Sequence, residues 1–201
     1  MSGSMSHTKH HTEALIVGTY DRGEVDRLYM LFTKDFGLLY AKARGVRKIH
    51  SKLRSTLQNL SHIHCSLIRA QDTWQLTNAD VHDTLAASLY GKEKELLRVG
   101  RIVKLLKRLL EREEKNKALY QTVIEGLRYL AHPTLSTQER DYTEALVVMR
   151  ILHALGYLGN PHYFGYLLGS VHVNDMLVGE TGRVQSRAVA EINRSLRTIH
   201  L

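Results

Sequence analysis

The spacing of apolar residues changes near residue 82, and this switch constrains the fold more than any other feature of the chain. Before it, hydrophobic residues come in short alternating runs broken by turn residues; after it, they recur three and four positions apart. Period two marks strands that bury one face, and a period near 3.6 marks helices. The 201-residue chain therefore reads as α+β, a five-stranded β-barrel followed by an all-α unit. At about 100–200 residues per domain, the length fits one ordinary domain or two small ones.

In the first part, Ala14, Ile16 and Gly18 alternate with Leu15, Val17 and Thr19, and Asp21-Arg22-Gly23 reads as a turn. A second strand follows at 28–33, where Phe32 alternates with Leu28 and Met30 and is expected in the core. Tyr29 and Tyr40 have the option of facing outward as stacking platforms, with core or barrel-rim packing favoured for most of the barrel aromatics. Lys34-Asp35-Phe36-Gly37 reads as a hairpin connection with Gly37 at positive φ. Further strands are expected at 38–43, 62–67 and 73–81. Short antiparallel strands at this density suit a small closed barrel, because closure removes the exposed edges. An OB-type barrel leads and an SH3-like barrel is the other option. The expected organisation is a disordered lead at 1–11, the OB-type nucleic-acid-binding domain at 12–82 and the helical domain at 83–201.

In the second part, helices are expected at 84–89, 94–112, 117–130, 137–155 and 186–196, with a short helical turn at 163–168. Pro133 stops the third of these, and Gly156 suits the end of the fourth. Thr137 with Arg140 does not make a complete capping pair.

Charge narrows the function. Lys and Arg total 28 against 20 Asp and Glu, a formal net charge of +8. Such a surplus favours an anionic partner. Its distribution is uneven: no acidic residue occurs between Asp35 and Asp72, a window that holds Lys42, Arg44, Arg47, Lys48, Lys52, Arg54 and Arg69. A solvated surface normally mixes signs. An acid-free basic loop leaving a barrel strand instead suits tracking of backbone phosphates. Arg98, Arg101, Lys104 and Arg108 form a second candidate basic face on the helix at 94–112.

Signals for catalysis are poor. His62 and His64 share a strand face, but no third metal ligand is visible and both read as surface residues. Glu24 and Asp26 read as a local ion-pair network with Arg22 and Arg27, and Cys65 as a buried, inert thiol. With one cysteine, an intramolecular disulfide and a cysteine-based zinc site are both excluded, which suits a reducing compartment. The reading therefore has no catalytic residue, no metal and no cofactor. The polar lead has no apolar segment of a secretory signal, Met5 offers a second candidate start, and no apolar run approaches the ~18 residues of a membrane span.

The stretch GEVDRLYMLFTKDFGLLYAKARGVRKIHSKLRSTLQ resembles the N-terminal barrel of the RecO family of bacterial DNA repair and recombination mediators. The resemblance runs through Gly23-Glu24, Asp26-Arg27-Leu28, Phe32-Thr33, Gly37, Ala43, Gly45, Arg47-Lys48, Ser51-Lys52-Leu53-Arg54 and Leu57-Gln58. MRILHALGYLGNP and INRSLRTIHL agree more loosely with the helical part. The resemblance implies an OB barrel joined to a helical domain. It implies a cytoplasmic, nucleoid-associated, non-enzymatic protein that binds single- and double-stranded DNA and anneals complementary strands. With RecR, such a protein helps load RecA onto DNA coated by single-strand binding protein. It also binds the acidic C-terminal tail of that coating protein. Lys42, Arg44, Arg47, Lys48, Lys52 and Arg54 would face DNA. Many members carry a four-cysteine zinc module after the GY-x-x-x-P region; the corresponding NPHYFGYLLGSVHVNDMLVGE has no cysteine, so that module is expected to be absent. Arg150, Leu155, Tyr157 and Leu158 are weak candidates for a tail pocket, with helix packing as their other role. The alternatives are an RNA-binding OB protein and an adaptor that binds only protein. A metal-dependent nuclease would need clustered acids, which the basic window lacks.

Overall fold

A computed structural model describes residues 8–48, 51 and 56–199. Five strands, β1 (Lys9–Arg22), β2 (Asp26–Thr33), β3 (Gly37–Ala43), β4 (Ser61–Ala70) and β5 (Thr73–Thr84), close into a barrel in the order β1-β2-β3-β5-β4. Neighbours are antiparallel except β3 and β5, whose parallel ladder is confined to Ala41↔Trp74 and Lys42↔Gln75. This is an OB-type barrel, and the SH3-like option falls. β1 starts earlier than the expected lead allows: Lys9, His10 and His11 pair with Ile68, Leu67 and Ser66. Their side chains give no apolar alternation, so only the backbone ladder marks them as strand.

The interior is filled by alternate residues, including Ala14, Ile16, Tyr29, Leu31, Leu39, Ile63, Cys65 and Leu67. Burying a residue such as Leu31 contributes about 1.5–3 kcal/mol. Tyr29 is fully buried inside, which closes the outward option for it and leaves the core packing favoured for the barrel aromatics. Phe32 is buried as expected, but its side chain is not among those of the interior cluster. Both faces of β2 are apolar, so alternation separates the two sets without saying which points inward.

By its internal contacts the chain divides into two units, Met1–Ala87 with Leu110–Asn116, and Ser88–Leu109 with Lys117–Leu201. The helical boundary thus falls a few residues beyond 82, and the strap Leu110–Asn116 returns to the barrel unit. The expected helix at 94–112 ends earlier for the same reason, at Leu109. Past the short β3–β5 ladder, β3 has a backbone edge to satisfy. Leu38 bridges Arg112, and Glu113 N donates to Leu38 O at 2.9 Å. The Glu113 carboxylate accepts from Trp74 Nε1 at 3.2 Å and from Arg69 at 2.9 Å. Gly37 is demanded twice over: its φ is +66°, and a Cβ there would sit 2.1 Å from the Glu114 carbonyl oxygen.

The second unit holds α2 (Glu93–Leu109), α3 (Lys117–Leu130), α4 (Thr137–Ala154), a 3-10 turn (Pro161–Phe164), α5 (Gly165–Leu168), α6 (Asp175–Arg183) and α7 (Gln185–Thr198); α1 (Leu85–Ser88) precedes them. α4 is the hub, with α2, α3, α5, α6 and α7 packed against it. It opens with a complete capping box one residue earlier than expected, in which Ser136 Oγ accepts from Glu139 N and the Glu139 carboxylate accepts from Ser136 N. No sequence signal predicted α6; its Gly182 lets it approach α4, where a Cβ would lie 2.4 Å from the Tyr142 ring.

Candidate nucleic-acid interface

The start of the loop after β3, residues 44–48, is fixed before any partner arrives. Val46 drops into the barrel core with 1% exposure, and Gly45 takes φ +64° to let the chain turn. Gly45 N donates to Asp26 Oδ1 at 2.8 Å, and Arg47 N donates to Val25 O at 3.0 Å. These bonds hang the loop on the β1–β2 turn. The Lys42 ammonium and the Gly45 N–H, both donating to the Asp26 carboxylate, hold its pKa below the usual aspartate value, against a smaller opposing effect of desolvation.

The anchors decide which cations remain available. Lys42 is paired with Asp26 at 2.9 Å. Arg47 is exposed, but its guanidinium reaches Gly23 O at 3.0 Å and Asp21 at 3.5 Å. Arg44 and Lys48 are exposed and have no ion pair among the described residues. Lys52 and Arg54 lie outside the described residues. Arg69 is held by Glu113 and sits 5.4 Å from the Trp74 ring centroid. The network expected between Glu24 and Asp26 and the arginines Arg22 and Arg27 is replaced by another: Asp26 pairs with Lys42, and Arg27 pairs with Asp21 at 2.9 Å. Asp21 and Asp26 reach the acid-free window from a different part of the sequence, which no local pattern reveals. Tyr20, 43% exposed, lies 6.3 Å from Tyr40, and Arg112 covers the Tyr40 ring at 4.6 Å.

The second basic face is half consumed. Arg98 is buried and donates to Asp141 at 2.5 Å, and Arg101 grips Glu144 with two bonds of 2.7 Å. Lys104 and Arg108 remain exposed, with no ion pair among the described residues. Both acids come from α4, 43 residues away in the chain, so helical spacing on α2 could not expose the pairing. A groove of about 440 Å³ lies along α2, lined by Glu93, Leu96, Leu97, Gly100, Arg101 and Lys104. Arg150 and Leu158 are buried, which gives both a packing role.

His62 is buried at 2% exposure, a correction to its expected surface position; His64 is exposed. Cys65 is buried as expected, and desolvation pushes its thiol pKa up to about 12, so it is protonated and unreactive near neutrality. No described helix is long and apolar enough to cross a membrane.

These features define an OB-type barrel protein with an exposed basic loop and a separate helical unit. Residues 5–85 match the family model for the recombination protein O N terminal. The DNA repair protein RecO of Heliobacterium modesticaldum is 30% identical over 148 residues, covering 74% of this chain and 52% of that protein. Its namesake in Thermodesulfovibrio yellowstonii is 27% identical over 148 residues, covering 73% and 57%. That of a Roseiflexus species is 30% identical over 152 residues, covering 74% and 50%. Residues 5–85 thus belong to the RecO N-terminal family, and the chain as a whole is similar to RecO proteins. It spans about half the length of the curated relatives it matches.

Proposed function

We propose that the protein is a non-catalytic DNA-binding mediator of repair and recombination. The observation that carries this reading is the pair of exposed cations without ion pairs, Arg44 and Lys48, on a loop pinned by Val46 and Asp26. A pinned loop loses little conformational entropy on binding, and unpaired cations can replace the counterions of a phosphate backbone. Phosphate contacts of this kind are indifferent to sequence and serve single and double strands alike. Neutralising two strands at once lowers their repulsion and favours annealing. Similarity to the RecO family supports action in the cytoplasm with RecR and, through it, loading of RecA onto DNA coated by single-strand binding protein. The α2 groove is apolar along Leu96 and Leu97, and Lys104 at its rim has no ion pair among the described residues. Arg101 is held by Glu144, and Glu93 also lines the groove, so Lys104 is the cation it offers to the acidic tail of that coating protein.

Fluorescence anisotropy of labelled single-stranded DNA over a salt series tests the reading. If Arg44 and Lys48 each neutralise one phosphate, R44A/K48A makes the slope of log K against log salt shallower by about 1.4. An unchanged slope in the folded variant moves DNA off this loop. No binding by the wild type leaves the adaptor that binds only protein, tighter binding to RNA of the same sequence favours an RNA reader, and Mg²⁺-dependent cleavage makes the protein an enzyme.

A further inference from the structure

β4 and β5 meet irregularly at one end. His62 pairs with Asp83 and Ile63 with Val81, which leaves His82 as the extra residue of a bulge. Bulges re-aim side chains, and they are over-represented beside functional sites. Here the bulge brings the His82 ring to 5.0 Å from that of His62. Asp83 Oδ2 lies 3.2 Å from His82 Nδ1 and 3.7 Å from His62 Nδ1. One ligand atom from each of His62, His82 and Asp83 lies within 4.8 Å of the others. On the far side of the His62 ring, Glu13 of β1 places Oε2 3.6 Å from Nε2. Glu13 is itself held by Lys34 at 2.5 Å, and His64 lies 5.5 Å from the His82 ring. Every one of these groups belongs to the barrel unit.

We propose that His62, His82 and Asp83 form a binding site for a zinc-type divalent transition-metal ion, with water or His64 in the fourth position. Two imidazole nitrogens and a carboxylate oxygen are a zinc donor set, whereas magnesium and calcium call for six or more oxygens. Metal–ligand bonds of about 2.0–2.2 Å need ligand atoms closer together than the widest separation here. His82 can supply that movement, because its side chain is 49% exposed, while the His62 side chain is fixed in place at 3%. Glu13 completes the pattern: a metal-ligating histidine commonly directs its other ring nitrogen at a carboxylate, which sets the tautomer and strengthens the ligand. A bound ion would stitch β5 to β4 where the chain leaves the barrel for α1. This site does not depend on the DNA-binding reading.

The test uses the full chain freed of metal by chelation, titrated with Zn²⁺ by calorimetry and with Co²⁺ by visible absorption. About one equivalent is expected to bind saturably, and Co²⁺ is expected to give the ligand-field bands of a low-coordinate N/O site. Zn²⁺ at about a hundredfold over Kd is expected to raise Tm by about 5–10 °C. H82A and D83N, checked for folding by circular dichroism, should each weaken Zn²⁺ binding by at least about tenfold, and E13Q by about 10–100-fold. The proposal is overturned if no saturable binding occurs below about 1 mM, or if H82A and D83N both bind like the wild type.

Discussion

The two units use arginine in opposite ways. In the barrel unit, Arg44 stands exposed on a turn with no ion pair among the described residues, and its neighbour Arg47 is exposed but tied to Gly23 O and Asp21. In the helical unit, Arg98, Arg140 and Arg150 are 8%, 6% and 3% exposed, and all are occupied by protein groups. Arg140 donates to the carbonyls of Leu135 and His132, at the end of the segment that follows α3. Arg150 donates from Nε to Leu167 O at 2.7 Å and from Nη1 to His172 O at 3.0 Å, while its buried Nη2 has no hydrogen-bond partner among the described residues. Burial lowers its pKa to about 10, yet it stays charged at neutral pH. Taking a cation out of water costs several kcal/mol unless its donors are matched. A buried arginine with most of its donors matched is therefore a strut, and only an exposed one without an ion pair is available to a partner. Counting positive charge along a sequence mixes the two kinds.

The comparison breaks most sharply at Arg150. R150M removes the donors that satisfy the Leu167 and His172 carbonyls and should cost about 2–4 kcal/mol. At about 2–4 °C per kcal/mol, that lowers Tm by roughly 4–16 °C in thermal unfolding. The strut reading fails if Tm moves by less than about 1 °C. R44A/K48A should show the reverse pattern, a shallower salt slope at an unchanged Tm. A smaller loss, about 1–3 kcal/mol, is expected for G37A, where strain at positive φ adds to the clash with the Glu114 carbonyl. Urea unfolding measures it, and a midpoint like that of the wild type would mean the strap does not press on the hairpin.

The smallest effect is the titration of the loop anchor. Asp26 has a folded-state pKa below its ordinary 3.8. A depressed carboxylate contributes stability above its unfolded pKa and loses it as pH falls through the folded one. The Asp26 bond to Gly45 therefore holds at neutral pH and is released only below pH 3.8. The amide shift of Gly45, followed by NMR against pH, should show its midpoint there; a midpoint at or above 3.8 contradicts the anchor.

Much of the fold was legible because it rests on local pattern. Alternation found all five strands, α3 was placed at its observed limits, and the Lys34–Gly37 turn announced its positive φ through its glycine. What escaped depends on contacts distant in sequence. α6 carries Gly179 and Gly182, each costing about 1 kcal/mol in helix propensity, and only the nearby Tyr142 ring explains Gly182. The basic loop was visible from its missing acids, but Asp21 and Asp26, which occupy Arg47 and Lys42, belong to another hairpin. The histidine cluster needed a bulge, and a one-residue slip in pairing leaves no trace in period-two reading.

The strap at Leu110–Asn116 makes the barrel unit discontinuous, with α2 inserted into its chain. A ribosome that has released residues up to Ala87 has delivered all five strands but not the last piece of their unit. Until Glu113 emerges, the Trp74 indole N–H and the Leu38 carbonyl lack the partners they have in the finished protein. Synthesis of the barrel thus ends only after the first long helix of the other unit has been made. Cutting the gene at the sheet–helix switch would produce a barrel with its seam open. A faithful isolated barrel would join 1–87 to 110–116 through a short linker.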